Sequence, residues 1–134
     1  MHKSILNNPK NMKIKAYTDV EQSKRLAEIL SLNSADMRYA PFGDTHPWFV
    51  KDSLIEKDSI PCWSLAALFE VIPVVIERAG KKYRLRMDKS EEDSDIWYEE
   101  IDSGLAQPSL DIIAPNMVDA CVAMIIELHN RKLL

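Results

Sequence analysis

Between Pro61 and Pro73 the chain carries Trp63-Ser-Leu-Ala-Ala-Leu-Phe-Glu-Val-Ile72, a stretch in which only Ser64 and Glu70 are polar. Proline fits the first turn of a helix and stops one further on, so the two prolines bracket a predicted helix. A helix that is apolar nearly all round has no face for water and belongs at the centre of a core. The rest of the chain must then supply the layers around it. With 134 residues and a hydrophobic fraction of 46%, there is material for one such core without disulfide or metal staples.

The layers are legible in part. Thr18-Asp19-Val20-Glu21 matches a capping box with Thr18 as the cap and Glu21 as its partner. It predicts a helix to about Leu30, with Val20, Ser23, Leu26, Ala27 and Leu30 on one stripe and Lys24, Arg25 and Glu28 toward water. A short strand over Lys13–Tyr17 precedes it. Ala35-Asp36-Met37-Arg38-Tyr39 alternates, placing Ala35, Met37 and Tyr39 on one face of a strand. Turn residues from Pro41 to Pro47 then lead to a returning strand, Trp48–Lys51, and a polar connector reaches Ser59. Tyr83-Arg84-Leu85-Arg86-Met87 alternates with Tyr83, Leu85 and Met87 inward. An acidic loop over 90–95 separates it from Ile96–Ile101, whose Glu99 and Glu100 can face Arg84 and Arg86 across the ladder. A further short strand is expected at Ser109–Ala114. Asn116 and Asp119 then cap a last helix with Met117, Cys121, Met124, Ile125 and Leu128 as its stripe, His129, Arg131 and Lys132 at its negative end, and Leu133 and Leu134 folded back onto the core or an interface.

The order is helix, hairpin, buried helix, three strands, helix. The expected class is α+β: a small antiparallel sheet of short strands with about three helices, one buried centrally and a long amphipathic one at the C-terminus. Residues 1–12 read as a flexible polar tail and 13–134 as a single α+β domain; Met12 is an alternative natural start.

Charge narrows the partners. The net charge is −4, and the deficit lies in residues 61–134, with 8 basic and 13 acidic side chains. Phosphate-binding proteins need a basic footprint, so nucleic acid is disfavoured as a partner. No apolar run approaches the roughly 20 residues of a membrane span, and no signal core follows Met1, so a cytoplasmic protein without membrane attachment is expected. Cys62 and Cys121 lie in apolar surroundings without metal-ligand spacing and read as buried free thiols, which suit a reducing compartment.

Chemistry is sparse. His2, His46 and His129 fall at the tail, a loop and a helix end, away from any nucleophile motif. Gly43, Gly80 and Gly104 are isolated, which excludes a glycine-rich phosphate loop. No cofactor or metal is indicated, and no catalytic residue is assigned. Glu91, Glu92, Asp93 and Asp95 lack the spacing of a calcium loop and read as a solvated tip. Trp97 and Tyr98 beside Arg84 and Arg86 resemble a base-stacking platform, but the adjacent glutamates would repel phosphate. Phe42, His46, Trp48 and Phe49 gather at the first hairpin, and aromatics on a proline-bracketed loop suit a partner-binding site.

Three stretches together carry a resemblance. Glu21-Gln-Ser-Lys-Arg-Leu-Ala27 with Ser34-Ala-Asp-Met37, then Pro61-Cys-Trp-Ser-Leu-Ala-Ala-Leu68, then Val118-Asp-Ala-Cys121 through Met124-Ile125 and Leu128-His129 to Leu133-Leu134 resemble a group of short proteins encoded by gut Bacteroidales bacteria, their phages and mobile elements. The resemblance spans Thr18 to Leu134. Those proteins often have proline after the capping asparagine, where this chain has Met117. No activity is attached to the group, so no residue role is carried over; what it implies is a cytoplasmic accessory protein of phage or prophage origin. At the level of fold alone, strands followed by a capped amphipathic helix are similar to the HicB-like antitoxin domain. The leading expectation is a non-enzymatic protein-interaction module, with an unidentified protein or a second copy as partner. An antitoxin-like nucleic-acid-associated regulator and a small-molecule binder or enzyme are the alternatives.

Overall fold

A computed structural model describes residues 14–41, 46–50 and 58–134, the side chains of 106–109 excepted. The polar tail, Met12, Phe42 and most of the 51–59 connector lie outside the described residues. The fold is α+β: helices α1 (Val20–Ala27), α2 (Leu65–Val71) and α3 (Met117–Asn130), with strands β1 (Met37–Tyr39), β2 (Trp48–Phe49), β3 (Ile60–Cys62), β4 (Val75–Arg78), β5 (Lys81–Lys89), β6 (Ser94–Glu100) and β7 (Ala106–Ala114). These form two antiparallel sheets, in the orders β2-β1-β3 and β4-β5-β6-β7, where the alternation had suggested a single one. Alternation locates strands but is silent about which edges pair. The chain gathers into two compact units, Ala16–Val71 and Ile72–Leu134, the second including Lys15.

In the Ala16–Val71 unit, β1 is the central strand. Met37 pairs with Phe49 on one side and Cys62 on the other. Met37 and Tyr39 point into the core with Cys62, where Tyr17, Val20 and Ile60 pack against them. The Tyr17 and Tyr39 rings meet edge to face, with centroids 6.5 Å apart. Of the strand expected at Lys13–Tyr17, Lys13 lies outside the described residues, and the described part forms a bridge between Tyr17 and Ser64.

Helix α1 starts one residue later than Thr18 predicts. Asp19 Oδ1 accepts from Gln22 N at 2.8 Å and Gln22 Oε1 accepts from Asp19 N at 3.1 Å, a reciprocal capping box. The sequence contains two overlapping boxes, and Thr18 is withdrawn from the first by burial. Its N–H donates to Trp63 O at 3.0 Å, and its Oγ1 accepts from Trp63 N at 3.1 Å.

Helix α2 is also later and less buried than its composition implies. Pro61 lies in β3, an edge strand on which a missing N–H is tolerated. Ser64 then opens the helix, its Oγ accepting from Ala67 N at 3.2 Å. Ala67 and Leu68 are buried, whereas Ala66, Phe69 and Glu70 are exposed. The buried stripe at i, i+3, i+4 and i+8 (Ser64, Ala67, Leu68, Ile72) was hidden by apolar residues on the other face.

In the second unit, β4 was not foreseen. Val75-Ile76 after Pro73, closed by Ala79-Gly80, is its signal: both turn residues have positive φ, 50° and 79°, as a two-residue hairpin turn requires. Along β5, Tyr83 and Leu85 are half-buried as the alternation predicts, but Met87 is 39% exposed. Helix α3 packs on β6 and β7, which leaves the β5 end of that face less covered. Its Val118, Cys121, Met124, Ile125 and Leu128 are fully buried, as are Ile96 and Tyr98 of β6 and Leu110 of β7. The Tyr98 hydroxyl donates to Pro73 O at 2.6 Å. At the start of α3, Asn116 Oδ1 accepts from Asp119 N at 2.8 Å, Asn116 Nδ2 donates to Asp119 Oδ2 at 2.9 Å, and Lys15 pairs with Asp119 at 2.9 Å. No helix among the described residues is long and apolar enough to cross a membrane.

Candidate functional site

The first hairpin holds three of the four expected contact residues within the described chain. His46 is exposed, Trp48 is half-buried and Phe49 is 65% exposed; Phe42 lies outside the described residues. Successive residues of a strand point to opposite faces. Trp48 therefore stands beside Arg38 and Phe49 beside Met37, so the aromatics do not merge into one patch. Arg38 Nη1 donates to Ser59 O and Oγ, at 3.1 and 3.3 Å. Among its described residues, what the hairpin offers is the exposed Phe49 on an edge strand.

Beneath β1 and β3 lies a buried polar network. Thr18 Oγ1 and Ser23 Oγ are 2.8 Å apart, and the Tyr39 hydroxyl donates to Thr18 O at 2.7 Å, with the Cys62 thiol at 3.4 Å from the same oxygen. Nearby, Asp36 accepts from Ser64 N at 2.9 Å and from the Ser64 hydroxyl, while Trp63 Nε1 donates to Ser34 Oγ at 2.9 Å. A hydroxyl, a thiol and a carboxylate this close invite comparison with nucleophilic sites. Thr18, Ser23 and Cys62 are completely buried, however, and desolvation raises the Cys62 thiol above its ordinary range, the opposite of activation. The network anchors β3 to the start of α1. Cys121 is likewise buried, with desolvation pushing its thiol up to about 12.

The β4–β7 sheet carries a grouping that sequence reasoning found only in part. On the face opposite α3, the register sets Arg86 opposite Trp97, Trp97 opposite Asp111, and Asp88 opposite Asp95. Glu99 Oε1 holds Arg86 Nε at 3.2 Å and Glu99 Oε2 accepts from Trp97 Nε1 at 3.3 Å, fixing the indole. Arg84, which lies directly opposite Glu99, is not the residue that pairs with it. Asp95 is half-buried, and its Oδ1 has neither water access nor a hydrogen-bond partner. Desolvation first, then a hydrogen bond with Asp111 and the charges of Asp111, Asp93 and Asp88, raise its carboxyl from 3.8 to about 6. Among the described residues, no group of three His, Cys, Asp or Glu side chains is arranged to hold a metal ion. The sequence had already set Arg86 beside Trp97 and Glu99, and had Asp95 as the last member of the acidic loop. Asp88 and Asp111 join it through strand pairing, which local sequence does not encode.

Comparison of the chain with protein-family models, with curated proteins and with solved structures finds no match.

Proposed function

We propose that the chain is a non-enzymatic protein-interaction module that engages its partner through β2 and the adjoining hairpin. The observation that carries this is Phe49: a large aromatic, 65% exposed, on a two-residue strand that is an edge of its sheet among the described residues. An unpaired edge offers backbone groups to a partner strand, and an exposed aromatic beside it supplies apolar area. Exposed His46 lies just before β2, whereas Trp48, on the opposite face beside Arg38, stands outside this contact. Against an enzyme stand two inaccessible thiols and two described histidines at a loop and a helix end. Against an antitoxin-like nucleic-acid regulator stands the β4–β7 sheet, where Glu99 occupies Arg86 and Asp88, Asp95 and Asp111 would repel phosphate. The resemblance to proteins of gut Bacteroidales phages and mobile elements supplies the context, an accessory factor.

The test is co-purification from nuclease-treated host lysate with the natural chain and with Phe49→Asp, alongside sedimentation of each purified protein. A stoichiometric protein partner, or a dimer, lost in Phe49→Asp supports the reading, provided the thermal midpoint is unchanged. At so exposed a position the substitution should alter stability by no more than about 0.5 kcal/mol. A partner retained by the variant, or nucleic acid eluting in its place, refutes it.

A further inference from the structure

We propose that the outer edge of β4 takes an extended, acidic segment of a partner protein as an added strand, with Arg78 receiving one of its carboxylates. The inference is independent of the β2 reading, since it concerns the other sheet, in the other compact unit.

The β4–β5 turn fixes which backbone groups face outward. Arg78 and Lys81 flank the two-residue turn, Ile76 pairs with Tyr83, and Val74 O accepts from Leu85 N at 2.8 Å. Bonding across an antiparallel pair alternates along each strand, so Val74, Ile76 and Arg78 turn their backbone groups toward β5. Val75 and Glu77 turn theirs the other way, where β4 is an edge of its sheet among the described residues. Pro73 has no N–H to lengthen this row, and the chain reverses at Ala79. The N–H and C=O groups of Val75 and Glu77 are thus what the edge offers, and a short antiparallel segment satisfies them.

The side chains say what that segment should carry. Val74 is 66% exposed on the face it shares with Ile76 and Arg78, and Val75 is 45% exposed on the other. Arg78 is half-buried, and its Nη1 is shut off from water without an acceptor. A charged donor in that state is destabilising until an acceptor reaches it, and a carboxylate is the strongest one a protein supplies. Nearby cations have acids already: Lys81 lies 3.9 Å from Glu100, Arg86 lies 3.2 Å from Glu99, and Lys82 faces Glu77 in register. Arg84, directly across from Val75, has no ion-pair partner among the described residues. An added strand sets one side chain opposite Arg78 and another, on the alternate face, opposite Val75, where the short valine leaves Arg84 within reach. Both positions call for an acid, and the one opposite Glu77 does not. The β7 edge lacks this match, because Asp111 lies there on the same face as Asp95 and repels an acidic strand.

The experiment is amide NMR titration of the natural chain with the end-blocked peptide Thr-Glu-Thr-Val-Glu-Val-Thr, whose glutamates fall opposite Arg78 and Val75 in antiparallel register. The Val75 and Glu77 amides should shift and their exchange should slow. Replacing both glutamates of the peptide by lysine, or N-methylating its third and fifth residues, should abolish binding. Arg78→Ala should weaken binding about tenfold, and Arg78→Lys should recover part of the loss. Should Arg78→Ala fold poorly, the three peptides on the natural chain decide. No response at Val75 and Glu77, equal binding of the lysine peptide, or binding that survives N-methylation would overturn the proposal. So would a dimer that protects these two amides without peptide, which assigns the edge to a second copy.

Discussion

Thr18 shows how one side chain can hold several elements. Its backbone and hydroxyl take both exchanges with Trp63, its carbonyl accepts from Tyr39, and its Oγ1 meets Ser23. Thr18→Val keeps the shape but strands the Trp63 N–H and the Ser23 hydroxyl. It should lower unfolding free energy by about 2–3 kcal/mol, read by urea titration, while Thr18→Ser should lose about 1 kcal/mol or less. Three other described residues are held where L-residues are strained: Asp58 at φ 65° before β3, Ala79 at φ 50° in the β4–β5 turn and Lys132 at φ 59° after α3. Lys132 closes a C-terminal cap in which Leu133 N donates to Leu128 O at 2.8 Å and Lys132 N to His129 O at 3.0 Å. Ala79→Gly and Lys132→Gly should each raise the thermal midpoint, by the equivalent of about 0.5–1 kcal/mol, because glycine adopts these angles without a Cβ clash. A lowered midpoint in both would contradict the assigned turn geometry.

At the scale of elements, α3 was legible from its sequence because its signals are local and agree: a capping asparagine, an acid three residues on, and one apolar stripe. Asn116→Ala should cost about 1–2 kcal/mol and Leu128→Ala about 2–5 kcal/mol, both measurable by denaturant unfolding. The smaller loss should come from the cap, whose first-turn N–H can find water, and the larger from a cavity under α3. The other helices were less legible for physical reasons. Thr18–Glu21 and Asp19–Gln22 are equally good boxes on paper, and only the burial of Thr18 selects the second. For α2, an apolar outer face carrying Phe69 masked the stripe that is actually buried. Strand β4 escaped notice because its pattern is short and its pairing with β5 depends on the Ala79-Gly80 turn. The contact residues at the hairpin were found by type, but their division between two faces follows from β2 being a strand. Asp95 and Asp111, sixteen positions apart, become neighbours through strand pairing, and no local signal joined them.

For the whole molecule, each compact unit has its own buried thiol, Cys62 in Ala16–Val71 and Cys121 in Ile72–Leu134. Both are fully buried and both have their ionisation pushed upward by desolvation. A thiol reagent at pH 8 should therefore find no fast-reacting cysteine in the native protein and two in denaturant. Rapid labelling of either in buffer would show that its unit opens far more readily than its packing implies. The denaturant concentration at which each thiol becomes reactive would report the opening of each unit separately. By itself, the sequence determined the α+β class, the positions of most strands, the burial of both thiols and all of α3, because these depend on periodicity and capping within a few residues. Only the tertiary structure decided that the strands divide between two sheets, which capping box forms, and that three aspartates converge beside Trp97. Those outcomes depend on which strand edges meet and on which polar groups burial claims, and no local pattern carries that information.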